Sequence, residues 1–423
     1  MRKRLIRLTA IVLASVTILV MTAIILAGTP WGLERARRLL VSRAGGALNG
    51  ELRVDRLEGS LFGNLTLRGV TIAREGEPLI SAETIRVVYR PMELLMGRLA
   101  VAEVKLNRPV IRAIEGPDGW NLAKLAKPRQ PGGKSRPFTI GRIEITDGSL
   151  LLQPRNATAR QIDRMALEAS LAFRSPEWRI DLDRFSGFET TAGVPINELK
   201  ADLTVGGPRL VVDDLVLATD RSRLSGHVST ETDGERRLVD VALVGEPLSL
   251  EELRRYVPAM PASTLSPEIT ISARGELTDL TGSWKIRSTA GETSGDFKTS
   301  GRDEIERVEG RADVRQLNLA PWLARERLAS RLTGSGTFDI RELRSDAPRI
   351  DFTFDGSEVA IAGYEAQRIN TRGTYRDGVV TARALGQAYG AALETNARWE
   401  TKTMRFTGRG KRRTKAADRT APA

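Results

Sequence analysis

The 423-residue chain has no cysteine and one histidine, His227. Without thiols there is no disulfide framework, no thiolate nucleophile and no Cys/His zinc site. His227 lies in LSGHVST, an alternating stretch where a solvent-facing strand residue accounts for it without any partner constellation. Histidine-dependent serine hydrolysis has no residues to carry it. Aromatic residues are scarce, at 5 %. The formal net charge of +12 comes from cations scattered between acids, as in ELRVDRLEG and DGERRLVDVAL. That pattern lacks the basic stripe and stacking rings of nucleic-acid binders. No nucleic-acid partner is expected.

Apparent catalytic and binding motifs also fail. GSGTFD at Gly334 lacks the third glycine and the βαβ setting of a dinucleotide loop. Asp213 and Asp214 adjoin, so alternation points them to opposite faces of a strand rather than into one acid/base pair. Asn64-Leu65-Thr66 and Asn156-Ala157-Thr158 are three-residue matches that chance supplies. The expectation is a protein without catalytic residues, metal or cofactor, and not an enzyme.

What is present begins with a membrane signal. MRKRLIR, residues 1–7, reads as a cytoplasmic cationic leader, and residues 8–27 carry neither charge nor proline. Twenty residues at 1.5 Å each match a hydrocarbon core of about 30 Å. The run predicts a single transmembrane anchor that includes Leu8, Ile11, Leu19 and Ile25, with the rest of the chain exported. A cleaved signal peptide is the competing reading. It has a shorter apolar region and a small-x-small site, whereas Ile25 occupies the position that should be small. Arg35, Arg37, Arg38 and Arg43 beyond the span weaken the charge asymmetry that sets orientation.

Residues 29–48 predict an amphipathic helix. Thr29 suits the N-cap and Pro30 the first turn, while Leu33, Ala36, Leu39, Leu40 and Ala44 form one face. Trp31 stands where an indole can sit at the headgroup level. The arginines opposite could meet lipid phosphates, or the helix could simply pack on the first strands. Both uses need the same pattern.

From Asn49 the period is two. Leu65 and Leu67 share a face, as do Val70 and Ile72, then Ile85, Val87 and Tyr89, and later Ile143 and Ile145. Short strands recur every ten to twelve residues between Gly, Asp, Asn and Pro, so the exported body is mainly β. The apolar parity changes between Leu67 and Val70, which predicts a bulge at Gly69. Helical signals are brief: GWNLAKLAKP, LSLEELRRYVP with a capping box of Ser249 and Glu252, and LNLAPWLARERL as a second copy of the latter. The expected division is a first β module at 49–127, a linker or loop at 128–137, continuing β repeats at 138–407 and a disordered basic tail at 408–423.

LNGELRVDRLEGSLFGNLTLRGVTI, GRLAVAEVKLNRPVIRAIEGPDGWNLAKL and PFTIGRIEITDGSLLL together resemble the AsmA-like proteins of double-membraned bacteria, the TamB-like members most closely. The Thr29-Pro30-Trp31 start, Glu58-Gly59-Ser60-Leu61, Gly119-Trp120-Asn121-Leu122 and Asp147-Gly148-Ser149-Leu150 carry the likeness, which covers the anchor and residues 29–155. The resemblance implies a single-pass inner-membrane protein with a cytoplasmic N-terminus. It further implies an elongated, curved, taco-like β-groove in the periplasm whose apolar face takes inner-membrane phospholipid towards the outer membrane. It also implies a link to outer-membrane protein assembly with a barrel partner of the TamA/BamA type. The groove lining would then include Leu65, Leu67, Val70, Ile72, Ile85, Val87, Tyr89, Ile143 and Ile145. The alternative is an anchored periplasmic scaffold or assembly factor whose sheets close on each other and carry no lipid, since both designs bury the same faces.

Overall fold

The computed structural model describes residues 30–60, 63–90, 93, 99–125, 137–234, 236–302, 304–343, 348–361, 363–388, 391–400 and 405–413. The expected span, with Leu8, Ile11, Leu19 and Ile25, lies outside these residues. Among the described residues no helix is long and apolar enough to cross a membrane. The body is mainly β with a few short helices, and it divides into two compact units, Met1–Gly207 and Pro208–Ala423.

In the first unit, helix α1 (Pro30–Ala47) precedes an antiparallel run of β1 (Glu51–Ser60), β2 (Asn64–Arg74) and β3 (Glu77–Tyr89). Strands β4 (Leu99–Asn107) and β5 (Val110–Gly116) lie end to end beside β3. Both then pair in parallel with one long strand. A parallel neighbour requires a crossover connection. Here it contains the two-residue β6 (Gly119–Trp120) and a 3-10 turn at Ala123–Leu125, and leads to β7 (Phe138–Gln153). The predicted linker falls in this crossover; its residues 128–136 lie outside the described residues. The antiparallel pattern resumes with β8 (Arg160–Arg174), β9 (Glu177–Glu189) and β10 (Val194–Gly206).

Residues directly opposite in a ladder share a face of the sheet, and the register makes that face apolar from edge to edge. One row runs Leu57, Leu67, Ile85, Leu106, Ile145, Leu167, Phe185 and Leu199. The next runs Leu65, Val87, Val104, Ile143, Ala169, Leu182 and Ala201. Between them on the other face lie Arg86, Lys105, Glu144 and Glu168, where Lys105 meets Glu144 at 2.8 Å.

The predicted bulge at Gly69 takes a different form. Pairing between β1 and β2 continues in register past Gly69, and the step is shared. Val54 and Leu57, like Leu67 and Val70, are three residues apart yet join one buried cluster. Ile145 and Leu150 on β7, and Ile162 and Met165 on β8, likewise meet in a second cluster across a change of parity. Left-handed residues mark the line: Gly69 (φ +59), Arg108 (φ +47), Asp147 (φ +54) and Arg164 (φ +52). Glycine adopts this conformation without strain, and an added Cβ at Gly69 would also press on the Asp55 carboxylate. This line keeps the same face apolar on both sides of a break in alternation.

Helix α1 covers the start of that face. Leu33, Ala36, Leu40 and Val41 pack against the cluster of Val54, Leu57, Leu67 and Val70. Leu39, expected on the packed face, is instead 60 % exposed. Arg37 donates from Nη1 to the Val54 carbonyl at 2.9 Å. Hydrogen bonds from Arg37, and then from Arg38, draw the Glu34 carboxyl down to about 2. The two Gly119–Leu122 and Asp147–Leu150 phrases are structural. Asn121 exchanges hydrogen bonds with Ile114, each 2.9 Å, and so extends the ladder of β5. Ser149 donates to Asp163 at 2.8 Å beside the change of face.

The second unit is an antiparallel meander. Its strands are β11 (Arg209–Ala218), β12 (Arg223–Asp233), β13 (Arg236–Gly245), β14 (Glu268–Glu276), β15 (Asp279–Ser288), β16 (Gly291–Ser300), β17 (Arg307–Leu317) and β18 (Ser330–Arg341). It continues with β19 (Arg349–Ile361), the short β20 (Tyr364–Ala366), β21 (Arg368–Arg376), β22 (Val379–Ala388), β23 (Ala391–Glu400) and β24 (Arg405–Arg413). Each long strand pairs with the next. Residues 408–413, expected in a disordered tail, thus belong to β24. The open edge of β23 offers hydrogen bonds that the tail's polar composition does not reveal.

Helices α2 (Leu250–Tyr256) and α3 (Leu319–Leu323) interrupt the meander after β13 and β17. They are the repeated units, and Leu253 and Trp322 pack on the cluster of Leu250, Leu265 and Ala290. Only half of the predicted capping box forms. Ser249 accepts from the Glu252 N–H, whereas the Glu252 carboxylate accepts from Thr219 and Ser222 hydroxyls, each at 2.6 Å.

On the charged side of this unit, Arg307 gives Asp339 two hydrogen bonds of 2.7 and 2.9 Å, and Arg341 adds two, from Nε at 3.0 Å and from Nη2. These bonds, Arg307's first, hold the Asp339 carboxyl far below the ordinary range. Its folded pKa lies below the unfolded value of ~3.9. The stabilisation is therefore complete above that value and is lost as pH falls towards the folded one. Asp339→Asn is expected to lower the urea midpoint at neutral pH, and the gap from the parent is expected to close on acidification below about pH 4. Unfolding followed by circular dichroism across that range checks this, and a gap independent of pH would contradict it.

Candidate functional site

In the second unit, strand pairing builds a face of one chemistry across thirteen strands. The central row is Val212, Val228, Val241, Ala273, Gly282, Phe297, Gly310, Phe338, Phe352, Gly373, Ala382, Ala397 and Gly408. At about 4.8 Å per strand this row extends roughly 60 Å. A flanking row holds Leu215, Leu243, Ile271, Trp284, Ala312 and Phe354. The opposite face carries hydroxyls and charges. Ser272 meets Ser283 at 2.9 Å and Thr337 meets Thr353 at 2.8 Å, while Lys285 meets Glu292 at 3.1 Å and Lys298 meets Asp279 at 2.9 Å.

Large rings sit opposite glycines throughout the apolar face. Trp284 pairs with Gly295, Phe297 with Gly282 and Gly310, Phe352 with Gly373, and Phe354 with Gly336. The rings lie over the neighbouring backbone. A Cβ at Gly373 would come within 2.4 Å of Phe352 Cζ, one at Gly282 within 2.4 Å of Phe297 Cζ, and one at Gly295 within 2.5 Å of Trp284 Cη2. Aromatic cover of cross-strand glycine supplies packing that glycine cannot.

Among the described residues of this unit no helix packs across these rows as α1 does on its cluster. The extensive contacts of these strands are with their sheet neighbours. Trp284, Phe297, Phe338, Phe352 and Phe354 are only half-buried, and Ile271 remains 38 % exposed. Contiguous apolar patches are the surfaces on which soluble proteins commonly hold partners or ligands. This one offers area without directional polar groups, which suits flexible hydrocarbon.

The predicted lining residues divide between covered and open positions. Leu65, Leu67, Val70, Ile85 and Val87 belong to the cluster beneath α1. Ile72 pairs with Leu52 and Ile80, and Tyr89 with Val101. Ile143 and Ile145 lie on the rows through β7, Ile145 in the cluster with Met165 and Phe185. All nine lie on the apolar side, but the five under α1 form a structural core. Trp31 falls in α1, and its side chain is outside the described residues. The half-buried apolar positions of the second unit, around Trp284, Phe338 and Phe352, were not singled out from the sequence. Glycine and aromatic residues alternate there in GSWKI and GSGTFDI, but their meeting depends on register between strands.

His227 stays on the charged face, where Nδ1 lies 2.5 Å from Asp213 Oδ1. Among the described residues no group of three His, Asp or Glu side chains could hold a metal ion. No protein-family model, curated protein or solved structure matches this chain.

Gly373→Ala is expected to cost about 1–3 kcal/mol by displacing Phe352. In a Phe352→Ala background the same change should cost at least about 1 kcal/mol less, because the two sites are coupled. Denaturant unfolding of the four proteins measures the cycle, and additive costs would contradict the ring-on-glycine arrangement.

Proposed function

We propose that this protein is a TamB-like member of the AsmA-like group. In this reading it is held in the inner membrane by residues 8–27, with its body in the periplasm. The apolar face of its sheet carries phospholipid acyl chains between the two membranes. The observation that supports this most directly is the row from Val212 to Gly408, apolar or glycine at all thirteen positions and without a second layer of strands or helix laid over it among the described residues.

Each Å² of such a surface removed from water stabilises the covered state by about 25 cal/mol. Acyl chains can deliver that stabilisation and still slide, since they make no fixed hydrogen bonds to the face. An elongated, curved groove is the shape this role calls for. A part in outer-membrane protein assembly, with a barrel partner of the TamA/BamA type, belongs to the same proposal and rests on the resemblance alone. A closed scaffold would need a second apolar layer against Trp284, Phe338 and Phe352.

Native mass spectrometry with lipid extraction on the full-length protein in mild detergent tests the reading. Phospholipid should accompany the parent and a Thr337→Arg control on the opposite face, and fall at least severalfold in Phe338→Arg/Phe352→Arg. Leu67→Arg is a poor probe, because Leu67 lies under α1. A folded parent that carries no lipid would sink the proposal.

A further inference from the structure

The charged face of the second unit changes character along β21–β24. From β14 to β18 its cations alternate with acids, as in Lys285–Glu292, Lys298–Asp279 and Arg307–Asp339. Across the last four strands the register gathers Arg368, Arg372, Arg376, Arg383, Arg398 and Arg409 on one side, with Glu394 and Glu400 the acids among them. Arg383 is held by Glu394 at 2.7 Å, Arg398 by Glu400 at 3.6 Å, and Arg376 by the turn residue Asp377 at 3.7 Å. Among the described residues Arg368, Arg372 and Arg409 make no ion pair. The sixty residues from Tyr364 to the last hold thirteen Lys or Arg and five Asp or Glu, so most of the chain's excess charge collects here.

Arg372, Arg383, Asn396 and Arg409 form one cross-strand row, and Thr374, Thr381, Arg398 and Thr407 the next. A wide depression of about 650 Å³ lies between them, over Gly373, Ala382 and Ala397. Guanidinium forks, hydroxyls and an amide converge on it, and these are the donors that hold phosphate oxygens. The described rings of β21–β24, Tyr375 and Trp399, occupy the apolar rows. Among the described side chains of β21–β24, the basic face therefore has no platform for stacking bases.

We propose that this face docks on the surface of a membrane rich in anionic phospholipid. Charge complementarity selects the partner, and size selects a surface over a small ion. Four strands about 4.8 Å apart, with same-face residues about 6.8 Å apart along each, spread the guanidinium groups over roughly 15 by 25 Å. That area spans several headgroups. The face is opposite the apolar rows, so the proposal stands whatever those rows carry.

The test uses the full-length protein held in nanodiscs of phosphatidylcholine and mixed with separate labelled vesicles. Vesicles of phosphatidylglycerol and phosphatidylcholine in equal parts should be captured, those of phosphatidylcholine alone should not, and high salt should release the former. Arg372→Gln/Arg409→Gln should weaken capture roughly thirtyfold, from about 1 kcal/mol per surface cation. Arg274→Gln/Arg287→Gln on the mixed-charge strands should leave it unchanged. Equal capture of neutral and anionic vesicles would overturn the proposal, as would full capture by the Arg372/Arg409 variant. Retention of duplex RNA or inorganic phosphate without vesicle capture would overturn it too.

Discussion

The structure depends on antiparallel register. Residues directly opposite each other must share a face, so every strand has to enter the ladder in step for the apolar row from Val212 to Gly408 to exist. A slip of one residue anywhere would turn that strand's apolar side to the charged face. The reward for this order is usually a closed core. In the first unit α1 supplies part of one over β1–β3. In the second unit the strands hold the same order, yet the face is left half-open.

Glycine serves this arrangement in two ways. At Gly69 it permits the left-handed conformation where the alternation changes side. At Gly373 and its equivalents it makes room for a ring from the next strand. The first use keeps one face apolar across a break, and the second brings aromatic rings over the neighbouring backbone on that face. Together they make a long, low apolar surface from residues that are individually common. A surface of this kind distinguishes hydrocarbon from water but not one hydrocarbon from another, consistent with a lipid cargo.

The β class was legible because period-two alternation is local. So was α1, from Pro30 and its apolar spacing, and so was the Ser249 cap of α2. Long-range features were not. Nothing in the spacing of Leu65, Leu67, Ile85 and Val87 distinguishes a face under a helix from an open one, since both need the same residues. The parallel pairing of β7 with β4 and β5 joins strands that are distant along the chain, which local spacing does not show. The cations of β21–β24 look scattered along the chain and assemble only when Arg372, Arg383 and Arg409 fall in register. The strand at Arg405–Arg413 forms on the edge of β23, an edge that a one-dimensional reading of a basic tail does not contain.

The central claim is that lipid lies on the open apolar face of the second unit, and a photocrosslinking residue placed there in intact cells tests it most directly. With benzoylphenylalanine at Phe338 or Phe352, irradiation should yield phospholipid adducts, and at Thr337 or Thr353 on the opposite face it should not. Equal labelling on both faces, or none on the apolar face of a folded and expressed protein, would contradict the account.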